Sequence, residues 1–235
     1  RQVVIAGGPG TGKTSIVAAI VRALSGGASP TVSPASVALA APTGKAADRL
    51  YAALSLTLAN ERSDGGRSLL DALAPATTLH RLLGYRAHDD TFTFHAGNPL
   101  PHRLVVVDEA SMLDLALAER LASALAPDAR LVLLGDPDQL PSVDAGAVLS
   151  DLVLAASSES STSPVGIVPV VRLTRSHRMD ASDVSGAPIL AFAARIRTAV
   201  VPTVTAPCAK VEAIADVTSC FAGGVRSLKI GAREM

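Results

Sequence analysis

Gly7-Gly8-Pro9-Gly10-Thr11-Gly12-Lys13-Thr14 is the stretch on which the reading of this chain turns. Its spacing, G-x-x-x-x-G-K-T, is that of a phosphate-binding P-loop. Glycines let the backbone curl until successive N–H groups face one anion, and Lys13 has the reach for the β- and γ-phosphates. The Thr14 hydroxyl is a ligand for Mg²⁺. The context of the motif is complete. An apolar run, Gln2–Ala6, reads as a buried strand, and Lys13–Leu24 has helical spacing, with Ile16, Val17, Ile20, Val21 and Leu24 on one face. That helix adds its positive N-terminal end to the loop, and Gly26 and Gly27 stop it. The competing reading, a Gly-rich turn without a ligand, does not account for strand, loop and helix occurring in this order.

Working outward, strands and helices alternate. Val37–Ala41, Leu104–Val107, Leu131–Leu134 and Val168–Leu173 read as strands. Gly44–Leu54, Thr78–Leu83, Leu113–Leu125, Ala145–Ala155 and Ile189–Arg197 read as helices. Residues 60–76 are weakly patterned, residues 86–101 look irregular, and Ser157–Pro164 is a Ser/Thr-rich linker, predicted to be mobile. Alternation of this kind implies right-handed crossovers and a parallel, doubly wound sheet with helices on both faces, a three-layer α/β fold. Hydrophobic residues make up 49% of the chain while aromatics are only 3% and Trp is absent. The core must then be Val, Leu, Ile and Ala, which suits parallel strands covered on both sides. Ligands of such sheets bind at the carboxyl ends of the strands, and that is where the chemically loaded segments fall.

Val105-Val106-Val107-Asp108-Glu109 fits a Walker B strand, an apolar run delivering two carboxylates to the phosphate side. Asp108 would hold Mg²⁺, directly or through water, and Glu109 would orient and deprotonate the attacking water. An acidic pair after a strand is also a common helix N-cap, so the pair alone is a weaker signal than the P-loop. At the next strand end, in Leu134-Gly135-Asp136-Pro137-Asp138-Gln139-Leu140-Pro141-Ser142-Val143, Gln139 has the reach of an uncharged γ-phosphate sensor. An isolated Gln there would by default be a polar turn residue.

The Asp108–Ser111 tetrapeptide followed by the Gly135–Val143 segment resembles the superfamily 1 helicases. Ala41-Pro42-Thr43-Gly44-Lys45-Ala46-Ala47, Thr78-Leu79-His80-Arg81-Leu82-Leu83-Gly84 and Leu173-Thr174-Arg175-Ser176-His177-Arg178 resemble, more closely, the RecD family. RecD is the alpha subunit of exodeoxyribonuclease V, a 5′→3′ DNA helicase. The matched segments run in family order from residue 2 to about residue 197. The resemblance implies a RecA-like P-loop NTPase fold that binds ATP and Mg²⁺ and moves along single-stranded DNA in repair and recombination. It implies that Thr43 and Lys45 touch DNA phosphates, and that Thr78 and His80 help form the single-strand track. It implies that Arg178 contacts the γ-phosphate from a cleft between two RecA-like domains, where its charge would stabilise the transferring phosphoryl group. Blander readings stand beside these. Lys45 could be a solvated charge, His80 a structural histidine and Arg178 an interdomain ion pair, with Arg175 as the contact in its place.

The resemblance also sets expectations for organisation. Residues 1–156 would be the ATP-binding domain, 157–199 a linker and the start of a second RecA-like domain, and 200–235 an unrelated, poorly ordered tail. The later helicase motifs and the upstream adenine-reading glutamine are not found, so the chain reads as an incomplete motor. A formal charge of zero argues against a polycation that coats nucleic acid, although Arg1, Lys13, Arg22, Lys45 and Arg49 face only Asp48 in the first 60 residues. Cys208 and Cys220 make neither a zinc set nor a disulfide framework. No apolar run is long enough to span a bilayer and no signal peptide is visible, which predicts a cytoplasmic protein. Expected partners are single-stranded DNA and the other subunits of an exodeoxyribonuclease V complex, with any nuclease activity supplied by those subunits. Two other classes compete. One is a non-enzymatic nucleotide-binding module. The other is a different P-loop ATPase, such as an AAA-type chaperone, which the Gln-Leu-Pro after Asp138 speaks against.

Overall fold

The structure, a computed structural model, describes residues 2–26, 30–60, 64–139, 147–157 and 168–175. In chain order its elements are β1 (Gln2–Gly7), α1 (Lys13–Ser25), β2 (Val37–Ala41), α2 (Gly44–Ala59), α3 (Asp64–Ala72), β3 (Thr77–Thr78), α4 (Leu79–Leu82), β4 (Tyr85–Arg86), β5 (Thr91–Phe92), β6 (Leu104–Val107), α5 (Leu115–Ala124), β7 (Arg130–Gly135), α6 (Val148–Ser157) and β8 (Val170–Leu173). Among the described residues six strands form one sheet in the order β3-β2-β6-β7-β1-β8, every pair parallel. The α/β three-layer expectation is met.

Strand periodicity deals the apolar residues to two cores. On one face lie Val4, Ala6, Ala38, Ala40, Val105, Val107, Leu131 and Leu133, packed with Leu79, Leu117, Leu121, Leu149 and Val153 from α4, α5 and α6. The alternate residues, Ile5, Val37, Leu39, Leu104, Val106, Val132 and Leu134, pack on the other face with Val17, Val21, Leu50, Leu54 and Leu58 from α1 and α2, and with Leu69 from α3. A period of two along the strands and of three to four along the helices is what this double burial demands. Each fully buried Val or Leu contributes roughly 1.5–3 kcal/mol of transfer free energy.

Several boundaries differ from the expectation, each for a local reason. Helix α2 runs on to Ala59 because Leu54 and Leu58, both fully buried, continue the stripe begun by Ala47 and Leu50. Ser55 and Thr57 do not break it, since their hydroxyls donate to the carbonyls of Tyr51 and Ala53. The weakly patterned stretch contains α3, whose Gly-Gly pair dilutes the helical signal. Leu69 and the following Leu73 are nonetheless buried against the α1/α2 face, and that packing stabilises the turn. The irregular stretch holds the antiparallel β4–β5 hairpin, with Asp90 in its turn at a φ of 52°. Helix α5 begins at Leu115, after a 3₁₀ turn over Ala110–Met112, because Asp114 caps it by accepting from the Leu117 N–H at 2.7 Å.

One difference changes the organisation. The strand expected to open a second domain, Val168–Leu173, instead joins the first sheet, outermost on that side among the described residues. As β8 it pairs in parallel with β1, from Val4 opposite Val170 to Gly7 opposite Leu173. A short Val-rich strand carries no local mark of the sheet it will join; the pairing is set by β1, the strand that leads into the P-loop. The unit containing all described residues extends to Arg175. The helix expected at Ile189–Arg197, the tail from residue 200 and nearly all of the Ser/Thr-rich linker lie outside the described residues.

Candidate functional site: a nucleotide pocket at the carboxyl edge of the sheet

Because all strands run the same way, their carboxyl ends share one edge. Register brings Ala41 beside Thr78, Ala40 beside Val107, Val107 beside Leu133, Ala6 beside Gly135 and Gly7 beside Leu173. The chain leaves that edge at the P-loop, at Asp108-Glu109, at Asp136, at Thr43 and at Leu79-His80. Strand β7 sits between β6 and β1, so the Gln139 turn emerges between the Asp108-Glu109 pair and the P-loop.

The P-loop has the backbone its sequence anticipates. Gly12 is the N-cap of α1 at φ 85° and ψ 19°, a left-handed conformation unstrained only for glycine. Gly7 is required for space: a methyl group there would lie 2.6 Å from Thr11 Oγ1 and 2.9 Å from Leu173 Cβ. Thr11, buried, donates its hydroxyl to Gly8 O at 2.8 Å. The Lys13 ammonium donates to the carbonyls of Gly7 at 2.6 Å and Gly8 at 3.1 Å. Thr14 lies in the first turn of α1, half-buried.

Across β7, Asp108 extends the β6–β2 ladder by donating its N–H to Ala40 O at 2.9 Å. Burial pushes its carboxyl above the usual carboxylate range. The bond from the Glu109 backbone N–H opposes that rise, the neighbouring Glu109 carboxylate adds to it, and the positive charge of Lys13 again opposes it. Glu109 adopts a left-handed backbone at φ 53° and ψ 39°, rare for a residue with a Cβ. Gln139 stands at the end of the β7 turn, its N–H bonded to Asp136 O at 3.2 Å and its side-chain amide donating to Asp136 Oδ2 at 3.3 Å.

These groups fit a magnesium-bound triphosphate. The loop presents glycines and a cation for phosphate, while a hydroxyl and a half-buried carboxylate are the hard oxygen donors that Mg²⁺ takes. Among the described residues no group of three or more His, Cys, Asp or Glu side chains could hold a metal. A metal held by one hydroxyl, one carboxylate and phosphate oxygens needs no such group.

The other sequence-predicted residues cluster at the β2–β3 end of the same edge. Thr43 caps α2, accepting from the Ala46 N–H at 3.3 Å, and Thr78 caps α4, accepting from the Arg81 N–H at 3.2 Å. Both threonines therefore have a capping role of their own. Lys45 and His80 are exposed. His80 is not a core histidine: its ring meets Tyr85 edge-on at 5.4 Å and lies 6.2 Å from Phe92. Arg178 lies outside the described residues, and Arg175 is exposed just beyond β8. Sequence reasoning passed over Asp136, only 6% exposed and bonded to the candidate sensor. The signal available for it was an acid directly after a strand-terminal glycine.

The sequence matches the family model described as an AAA domain over residues 1–145. RecBCD enzyme subunit RecD of Mycolicibacterium smegmatis is 46% identical over 197 residues, covering 83% of this chain and 32% of that protein. RecBCD enzyme subunit RecD of Mycobacterium tuberculosis, strain H37Rv, is 49% identical over 151 residues, covering 64% of this chain and 26% of that one. The ATP-dependent RecD2 DNA helicase of Deinococcus radiodurans is 38% identical over 186 residues, covering 78% of this chain and 20% of its own length. The chain thus spans a third or less of each of these curated relatives. The glycine loop, the acidic pair and the Gln139 turn follow adjacent strands of one sheet, and the match over residues 1–145 together with the likeness to RecD proteins makes this chain a member of the AAA-domain family and of the RecD helicase family.

Proposed function

We propose that the chain is the nucleotide-binding half of a RecD-type 5′→3′ DNA helicase motor, which couples ATP hydrolysis to movement along single-stranded DNA. What supports this reading is that the P-loop and Asp108 follow the carboxyl ends of β1 and β6, the two strands that flank β7, while the turn bearing Gln139 follows β7 itself. Lys13, Thr14 and Asp108 would hold the triphosphate and its magnesium, which when bound neutralises charge on the phosphate oxygens. To reach phosphate, Lys13 exchanges its bonds to Gly7 O and Gly8 O for phosphate oxygens. Glu109 orients water and accepts its proton, and its strained backbone sets the direction of the carboxylate. Gln139 senses the terminal phosphate. Arg178 would complete the charge around it.

The DNA track of the proposal lies at the β2–β3 end. There the caps Thr43, two residues past the end of β2, and Thr78, the last residue of β3, open α2 and α4 from neighbouring strand ends, one helix on each face of the sheet, with Lys45 and His80 exposed. Exposed N–H groups and a cation at helix starts suit phosphates and not base edges, so sequence-independent binding is expected. Likeness to RecBCD subunits supports a place beside other exodeoxyribonuclease V subunits. No helix among the described residues is long and apolar enough to cross a membrane.

The test is ATP turnover with and without single-stranded DNA for the wild-type chain, Lys13→Ala and Glu109→Gln. The proposal expects Lys13→Ala to weaken nucleotide binding by about tenfold or more, as for loss of a charge-assisted hydrogen bond. It expects Glu109→Gln to bind normally and turn over about a hundredfold more slowly. Wild-type turnover indifferent to both substitutions would discard this reading in favour of a non-enzymatic module.

A further inference from the structure

Asp136 is a buried carboxylate that the proposed mechanism has not used. It follows Gly135 at the end of β7, where a side chain has no room: a methyl on Gly135 would lie 2.6 Å from Leu149 Cδ2 and 3.0 Å from the Ser111 nitrogen. Its two oxygens are divided. Oδ1 accepts from the Asp138 N–H at 3.1 Å, which shapes the turn. Oδ2 accepts from the Gln139 side-chain amide at 3.3 Å. The same Oδ2 faces the P-loop, 3.8 Å from where a methyl on Gly8 would stand. Gly8 is also the residue whose carbonyl takes bonds from Thr11 and Lys13. One oxygen thus lies between the loop proposed to hold phosphate and the side chain proposed to sense it.

We propose that Asp136 is a positioning residue that couples the P-loop to Gln139. While the loop holds no anion, Oδ2 keeps the Gln139 amide turned back on its own strand end. Phosphate in the loop places negative charge near the Asp136 carboxylate and draws Lys13 off the Gly8 carbonyl. Both changes alter the field at Oδ2 and free the Gln139 amide to meet the new acceptor. Asp136 touches neither water nor phosphate in this account and acts through Gln139 alone. The proposal rests on the nucleotide reading above.

The experiment uses the ¹⁵N-labelled full chain, with the Gln139 side-chain amide resonance assigned by its disappearance in Gln139→Ala. Asp136→Asn keeps the volume and the acceptor for Asp138 but replaces Oδ2 with a donor. Its Gln139 amide protons should exchange faster with water than those of the wild type without nucleotide. Adding a non-hydrolysable Mg–ATP analogue should shift the wild-type Gln139 resonance and move that of Asp136→Asn much less. Turnover in Asp136→Asn should fall about tenfold, yet the substitution should change turnover by less than about twofold when Gln139→Ala is already present. An unchanged Gln139 amide in Asp136→Asn, an equal analogue response in both proteins, or full multiplication of the two turnover losses would overturn the coupling. If the wild type binds no analogue, the nucleotide reading itself falls and the coupling with it. The comparison made without nucleotide tells that failure apart from a missing Asp136–Gln139 bond.

Discussion

Glu109 shows what a single position gives up for its chemistry. Its left-handed backbone is held from both sides, by the Asp108 N–H on Ala40 O and by the Met112 N–H on Glu109 O at 3.0 Å. For a residue with a Cβ that conformation costs roughly 1–2 kcal/mol. Glu109→Gly should therefore raise the unfolding free energy by about 1 kcal/mol while losing hydrolysis. Glu109→Gln should lose hydrolysis with stability changed by less than about 0.5 kcal/mol. Denaturant midpoints of the two variants decide it, and equal midpoints would remove the strain argument. His102 gives a pH dependence at the same scale. It is half-buried, its Nδ1 has no partner in the structure, and burial holds its pKa below the usual 6.5. The unfolded chain thus takes up this proton first as pH falls. Stability from this residue should be complete above 6.5 and should decline as pH drops from there through the lowered folded value. His102→Gln should flatten that slope, and identical slopes in urea titrations at several pH values would refute it.

The elements divide the labour between burial and delivery. Strand β7 is central, paired with both β6 and β1, and Leu134 is fully buried one residue before the Gly135-Asp136 turn. Leu134→Ala should cost about 2–5 kcal/mol, measurable as a lower denaturant midpoint, and a change of a few tenths would show that the turn is not set by this packing. The caps are a milder case. Thr78→Ala should cost about 1 kcal/mol, because it strands one N–H at the start of α4. Much of this was legible along the chain. Strands β2 and β6 begin and end where their apolar runs do, since a buried parallel strand needs an unbroken run. Helix ends were less legible, because α2 continues only by virtue of what Leu54 and Leu58 meet on the sheet. Helix α3 was illegible, its glycines masking a helix that packing supports.

At the scale of the molecule, nucleotide should act as a stabiliser by mass action. A Mg–ATP analogue at about a hundred times its dissociation constant should add about 2.7 kcal/mol to the unfolding free energy of the wild type, and Lys13→Ala should abolish the rise in thermal midpoint at the same concentration. A shift of the same size in Lys13→Ala would mean that binding occurs elsewhere. On the DNA side, Lys45→Ala should weaken single-strand binding evenly across sequences and reduce the slope of log affinity against log salt by about one. An unchanged slope would leave Lys45 a solvated charge. From the residues alone came the P-loop with its flanking strand and helix, the acidic pair, the sensor turn and the three-layer class, because each rests on neighbours within a few positions. Tertiary structure decided that β8 joins the first sheet, that Thr43 and Thr78 cap helices leaving neighbouring strand ends, and that Asp136 stands between Gly8 and Gln139. Those facts depend on which strands lie side by side, and strand pairing joins residues far apart in sequence whose affinity for one another no local pattern records.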